Sequence, residues 1–257
     1  EAVGARIRVI LPQRSRRGRT RPPARYTPAP MACFVLLPGA GGAAWYWHRV
    51  VPHLENAGHE VIAVDLPGPD ERAGLPAYAD IAVDAIGAQK DVVLVAQSMG
   101  GFTAPLVCAR ASVRALVFVN AMIPIPDETP GAWWQNTKSE EARTAAAERG
   151  GYPTEFELGV YFLHDISAPI AAELTATPRP EAKIAFTTPC RFVRWPEVPI
   201  HVVIGKDDRF FPADFQERVA RERLGAAITS IDAVPGGHLV ALSNPEALAR
   251  QLLAYVK

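Results

Sequence analysis

Short, continuously apolar runs that alternate with longer amphipathic ones limit what this chain can become more than any other feature. From Met31 onward the runs "CFVLLPG", "EVIAVDLP", "DVVLVAQS", "RALVFVNA", "PIHVVIGKDD" and "AITSIDAV" read as strands. Most are unbroken and rich in Val and Ile, the pattern of strands covered on both faces. Between them, segments at about 46–57, 77–88, 99–111, 213–224 and 244–256 read as helices. The last carries a start signal: Ser243 and Glu246 are spaced as a capping box, and Pro245 suits a first helical turn. This alternation predicts an α/β fold with a mostly parallel, doubly wound sheet. Functional groups then belong at the carboxyl ends of the strands.

The alternation stops between about Ile123 and Pro199, a stretch rich in Pro and Trp with short helical segments such as "SEEARTAAAER". A chain of 257 residues supports one sizeable core, so this stretch is expected to be a helical cap insertion, 123–199, over a core made of 31–122 and 200–257. The formal net charge of zero conceals an asymmetry, because residues 1–30 hold eight arginines, five prolines and a single acid, Glu1. The remainder has 19 basic and 26 acidic residues, a net charge of −7. Residues 1–30 are expected to be a disordered extension outside the fold; their arginines resemble a transit peptide or nucleic-acid arm, but no nucleic-acid partner is expected. No apolar run approaches the roughly 20 residues of a membrane span, so no membrane partner is expected either. Cys33, Cys108 and Cys190, odd in number and far apart, point to free thiols and a cytoplasmic protein, with no disulfide framework and no metal site.

The glycine-rich stretch "FVLLPGAGGAAW" admits two uses. Gly39, Gly41 and Ala44 fit a dinucleotide fingerprint loosely, and Asp65 closes the next strand where a ribose ligand would stand. That would make the protein an oxidoreductase. The third strand argues otherwise. It runs into "VAQSMGGFTAPLVCARA", a small-x-Ser-x-Gly turn from strand to helix, the arrangement of a nucleophile elbow. Such a bend demands almost no side chain two residues either side of the serine, and Ala96 and Gly100 flank Ser98 there.

A serine hydroxyl needs a base. Of six histidines, His48, His53, His59 and His201 read as packing or solvent-facing residues, and His164 as a cap surface residue. His238, in "VPGGHLV" after the final strand, lies in a glycine-rich loop that can swing its ring over the sheet edge. The imidazole needs an anion to fix its tautomer, and the spacing from Gly205 selects Asp208 over Asp207. The preceding strand ends in Asn120, which is no acid. Ser98, Asp208 and His238 thus occur in the chain order of an α/β-hydrolase triad.

Residues 33–257 resemble an α/β-hydrolase, more narrowly the small-cap branch of plant methylesterases, hydroxynitrile lyases and their bacterial esterase relatives. The likeness rests on the stretch from "FVLLPGAGG" to "VDLPG", on "VVLVAQSMGG", on "IGKDDRFFP" and on "GGHLVALSNPEAL". Two positions depart from that pattern: Pro38-Gly39 replaces His-Gly at the first turn, and Ala96-Gln97-Ser98 replaces Gly-His-Ser at the elbow. The resemblance implies that the glycine turn supplies an oxyanion hole from the backbone N–H groups of Ala40 and Met99, with Gly39 and Gly100 as structural turn residues. Asp65 then becomes an ordinary loop acid.

The expected function is cleavage of small, apolar carboxylic esters through an acyl-enzyme, with a small-molecule ester as partner and without cofactor or metal. Trp133, Trp134, Phe156, Tyr161, Phe162 and Leu163 of the cap favour an apolar or aromatic substrate. Alternatives are a hydroxynitrile lyase-like or perhydrolase activity, or a non-catalytic ligand-binding homologue. The lyases of this branch carry a threonine and a lysine where this chain has Gly39 and Leu239. A dehalogenase would need an aspartate at position 98. The oligomeric state is open, a homodimer being one form it allows.

Overall fold

All six apolar runs form strands, and in the computed structural model, which describes residues 31–257, they make one sheet. The strands are β1 (Cys33–Leu37), β2 (Glu60–Ala63), β3 (Val92–Gln97), β4 (Ala115–Val119), β5 (Ile200–Gly205) and β6 (Ile228–Val234). Their order is β2-β1-β3-β4-β5-β6, and every neighbouring pair is parallel, so the mostly parallel sheet expected is wholly parallel among the described residues. The expected extension at residues 1–30 lies outside the described residues.

Helices α1 (Val51–Asn56), α2 (Leu75–Ile86) and α3 (Gly100–Cys108) alternate with the first strands. Between β4 and β5 come α4 (Pro130–Thr137), α5 (Ser139–Gly150), α6 (Leu158–Tyr161), α7 (Ala168–Ala176) and α8 (Lys183–Thr187), without a strand. Helix α9 (Ala213–Leu224) joins β5 to β6, and α10 (Val240–Ser243) and α11 (Pro245–Ala254) follow β6.

Side-chain alternation along β3 shows why its run is unbroken. Val92, Leu94 and Ala96 enter one apolar cluster with α2 and α3, while Val93 and Val95 enter the other with α11. Both faces are covered, so neither set can be polar. The in-register pairs Leu37–Ala96 and Ala96–Phe118 bring the carboxyl ends of β1, β3 and β4 to one edge, and Gly205–Val234 does the same for β5 and β6.

Two local expectations need correction. The first predicted helix, 46–57, is a 3₁₀ turn (Ala44–Trp47) followed by α1, with Pro52 in the first turn of α1 where its missing N–H costs nothing. The Ser243–Glu246 capping box does not form. Ser243 already closes α10, donating its N–H to Leu239, so the cap of α11 falls to Asn244 and Ser243 Oγ has no partner among the described residues. Pro245 does begin α11.

The segment between β4 and β5 is tied to α9 by a buried ion pair. Glu128 accepts from both terminal nitrogens of Arg223 on α9, the Nη2–Oε1 contact being 3.0 Å, and Arg223 Nη1 also donates to the Ile123 carbonyl at 2.8 Å.

Candidate active site

At the end of β3 the chain must reverse within one residue to start α3 at Gly100. Ser98 adopts φ +48°, a left-handed conformation rare for a side-chain-bearing residue. Its N–H donates to the Val119 carbonyl (3.2 Å) and its own carbonyl accepts from Met122 (2.9 Å) and Gly101 (3.0 Å), so the strained bend is held from three sides. A Cβ on Gly100 would stand 2.5 Å from the Pro38 carbonyl oxygen, and one on Gly101 would collide with the Met122 carbonyl. The glycines at these positions are therefore steric requirements. Gly39 is constrained likewise: a Cβ there would lie 2.5 Å from Gln97 Oε1 and 2.8 Å from Ser98 Cβ.

The loop after β6 delivers His238 to this bend. His238 Nε2 lies 3.1 Å from Ser98 Oγ, and Nδ1 lies 2.8 Å from Asp208 Oδ2. Of the two acids at the end of β5, Asp208 is the one that reaches the ring. Asp207 instead accepts the N–H of Gly236 at 2.9 Å, bracing the same loop. An ionised carboxylate on Nδ1 assigns the ring proton to that nitrogen and leaves the Nε2 lone pair facing the serine. Asp208 is itself fixed: Oδ1 accepts from the N–H groups of Phe210 and Phe211 at 2.8 Å each, and Oδ2 from Gln216 Nε2 at 3.1 Å.

The imidazole is enclosed away from bulk solvent. His238 is 1% exposed, and the rings of Phe162, Phe210 and Phe211 meet it edge-on with centroids 4.9–5.0 Å away. Behind it, Asn120 donates to the carbonyls of Gly237 (3.0 Å) and His238 (3.1 Å) and accepts from Gly205 N–H (2.6 Å). Asp165, between α6 and α7, accepts Gly237 N–H at 2.5 Å.

The remaining histidines separate into packing roles. His59 Nδ1 accepts from Ala32 N–H at 3.1 Å, His201 pairs with Ser230 Oγ at 2.8 Å, and His48 stacks on Trp45. The reading of His164 as a surface residue is corrected: both ring nitrogens are out of solvent without a partner among the described residues, and its Cε1 lies 2.8 Å from where a Gly237 Cβ would be. It packs behind the His238 loop.

Ser98 and His238 open into a cavity of about 280 Å³, lined by the Pro38–Ala40 turn, Trp45, Tyr46, Met99, Met122, Trp134, Phe162, Leu174, Phe186, Phe210 and Leu239. Of the cap aromatics anticipated, Trp134 and Phe162 reach the chamber. Trp133 and Tyr161 are fully buried packing residues, and Phe156 is exposed. Tyr46, Phe186, Phe210 and Leu174 were not anticipated; their role emerges only when distant segments meet. Burial pushes the Tyr46 phenol well above its ordinary range, so it faces the chamber neutral. No lysine or arginine is among the chamber's lining residues, and Gly39 and Leu239 both line it. Ala40 and Met99 also line it, and the backbone N–H of neither donates to another described residue.

The glycine turn holds no arrangement for a dinucleotide. Asp65, the supposed ribose ligand, accepts from Ala44 N–H at 2.9 Å and pairs with Arg179 at 3.0 Å, so it is a brace for the turn. Among the described residues no cluster of three His, Cys, Asp or Glu side chains is arranged to hold a metal, and no helix is long and apolar enough to cross a membrane.

The model of the alpha/beta hydrolase family matches residues 34–251. The chain is an α/β-hydrolase. The hydrolase is 30% identical to Methylesterase 3 of Arabidopsis thaliana over 141 residues, 48% of this chain and 54% of that one. It is 35% identical to the alpha-hydroxynitrile lyase of the same plant over 112 residues, 38% of this chain and 42% of that one. The chain thus matches about half the length of these curated relatives. In structure it is similar to polyneuridine aldehyde esterase, with a TM-score of 0.72 at 20% identity over 89% of this chain and 100% of that one. That likeness reports the fold.

Proposed function

We propose that this hydrolase cleaves small, apolar carboxylic esters through an acyl-enzyme on Ser98. Ser98 Oγ attacks the ester carbonyl as its proton passes to His238 Nε2, and Asp208 stabilises the resulting imidazolium. The tetrahedral oxyanion accepts from the N–H groups of Ala40 and Met99. Collapse breaks the bond to the alcohol, which leaves with the proton from His238. Water, deprotonated by His238, then attacks the acyl carbon, and Ser98 leaves with the proton returned. Two preorganised backbone donors are worth about 10²–10³ each in rate.

The observation that carries this reading is the unbroken chain Ser98 Oγ–His238–Asp208 at 3.1 and 2.8 Å. The methylesterase relative adds support, and the 280 Å³ apolar chamber favours a compact substrate. In this reading the helices between β4 and β5 act as a cap that supplies Trp134, Phe162, Leu174 and Phe186 to the chamber. The lyase alternative lacks a cation for cyanide.

The test is hydrolysis of short-chain p-nitrophenyl and methyl esters by wild type and Ser98→Ala. Removal of the nucleophile should lower kcat by about 10⁴–10⁶. Equal rates for the two proteins would refute the serine assignment and the esterase reading together.

A further inference from the structure

We propose that Glu181, from the segment before α8, is a positioning residue that locks the glycine turn facing Ser98 into one of two backbone states. The inference rests on the ester-hydrolysis reading, in which Ala40 N–H, on the Gly39–Ala40 peptide adjoining the one that Glu181 clamps, binds the oxyanion.

The turn is identified by its backbone. Gly39 carbonyl accepts from Gly42 N–H at 3.1 Å, Gly41 has φ +85°, and Ala40 is not among the residues with positive φ. That is a type II turn with Ala40 and Gly41 at its centre. Types I and II differ by reversal of the central peptide, here Ala40–Gly41, and a glycine at the second position makes both accessible. Something must choose between them.

Glu181 is placed to do so. Its Oε2 accepts Gly41 N–H at 2.6 Å, and its Oε1 accepts the hydroxyl of Tyr78, buried on α2, at 2.5 Å. Reversal of the Ala40–Gly41 peptide would turn the Ala40 carbonyl oxygen against this carboxylate, two acceptors face to face. The surrounding chain holds Glu181 in place: Ala182 N–H donates to the Gly68 carbonyl at 2.7 Å, and Arg179 pairs with Asp65 and donates to the Leu66 carbonyl at 2.8 Å. A Cβ on Gly41 would collide with the Arg179 carbonyl, so the inserted segment lies directly on the turn. Burial raises the Glu181 carboxyl above its ordinary range, consistent with this enclosed setting.

The experiment compares wild type, Glu181→Ala, Glu181→Asp and Glu181→Gln, with active sites counted by a fluorophosphonate. The readouts are kcat per titrated site, KM, and affinity for a trifluoromethyl ketone, whose adduct carries the oxyanion. Alanine removes the acceptor. Aspartate keeps the charge on a shorter arm and serves if alanine prevents folding. Both should lower kcat per site about 10–100-fold and weaken the ketone by a similar factor, with KM within about threefold of wild type. Glutamine, whose amide oxygen can still accept from Gly41, should restore most of the activity. Unchanged kcat per site in both alanine and aspartate variants overturns the proposal, as does a loss explained wholly by fewer titrated sites. If wild type hydrolyses no ester, the parent reading fails. The clamp is then read from the Gly41 amide, which should exchange slowly in wild type and faster in Glu181→Asp, whereas equal exchange overturns it.

Discussion

The side chain of Asn120 holds the backbone of His238: its amide nitrogen donates to the His238 carbonyl at 3.1 Å and to that of Gly237 at 3.0 Å, while its oxygen accepts from Gly205. One fully buried side chain thus joins the ends of β4 and β5 to the loop that carries the proposed base. Replacing it with alanine would orphan the Gly205 N–H and the Gly237 carbonyl, while the His238 carbonyl keeps the Gln97 Nε2 donor at 3.3 Å; each unsatisfied group costs about 1–3 kcal/mol. Asn120→Ala should therefore lose at least about 2 kcal/mol in chemical denaturation and lower kcat in the folded fraction. A variant with unchanged midpoint and activity would refute the role.

The elbow allows no Cβ at Gly101, because the Met122 carbonyl fills that space. The obstacle is backbone, which cannot rotate away as a side chain tip would. Gly101→Ala should yield little soluble protein, or protein destabilised by more than about 2 kcal/mol with Ser98 displaced. Gly159→Ala, where a Cβ meets nothing within 4 Å and φ is not positive, should be near neutral. Comparable denaturation midpoints for the two variants would contradict the packing argument.

Trp134 lines the chamber and packs against Phe210 and Phe211. Trp134→Ala should enlarge the chamber and shift preference towards esters with a bulkier acyl group. The ratio of kcat/KM for a branched or aromatic ester over an acetate should rise about tenfold. An unchanged ratio across the ester series would place this ring outside the substrate's reach.

Burial lowers the pKa of both His59 and His201 below the ordinary value of 6.5. The unfolded chain then binds more protons than the native one as pH falls through that value. The stability associated with the neutral rings is present above it and lost below, until the native rings also titrate. Thermal midpoints should decline as pH falls from about 7 to about 5, and a His59→Asn/His201→Gln double variant should show a shallower decline. Parallel curves for the two proteins would assign the acid sensitivity elsewhere.

The Cys190 thiol is fully buried, donates to the Phe102 carbonyl at 3.1 Å, and is pushed up to about 12 by burial, with Glu128 and Asp127 adding to the rise. Because the thiolate is the reactive form, native protein should leave Cys190 unmodified by a disulfide reagent at neutral pH, and denaturant should expose it. Mass spectrometry of the labelled protein checks this. Rapid native labelling of Cys190 would show that its helical cover opens.

What was legible in the sequence follows the range of the interactions involved. Ser98 announced itself because an elbow is local: strand, small residue, serine and glycine lie within nine residues. Asp208 and His238 stand out because each ends or follows a recognisable apolar run, and the parallel strands bring those ends to one edge, where the two side chains meet. Asn120 was considered only as a missing acid, since nothing near it indicates that its partners are carbonyls 117 and 118 residues away. Glu181 and Asp165 reach glycine N–H groups 140 and 72 residues distant, and their immediate neighbours carry no periodic signal. Ser243 misled for the opposite reason, because a valid local spacing was pre-empted by a short helix already formed through it.

Ser98 and His238 are separated by 140 residues, and the histidine follows β6, the strand on the outer margin of the sheet. No contiguous half of the chain holds both partners of that hydrogen bond. In the proposed mechanism turnover therefore reports on closure of the entire topology: a folding intermediate with β1 to β4 assembled would hold α1 to α3 and the elbow yet be chemically silent. In a refolding experiment, recovery of activity should lag behind recovery of secondary structure, with the interval measuring how long β6 takes to dock.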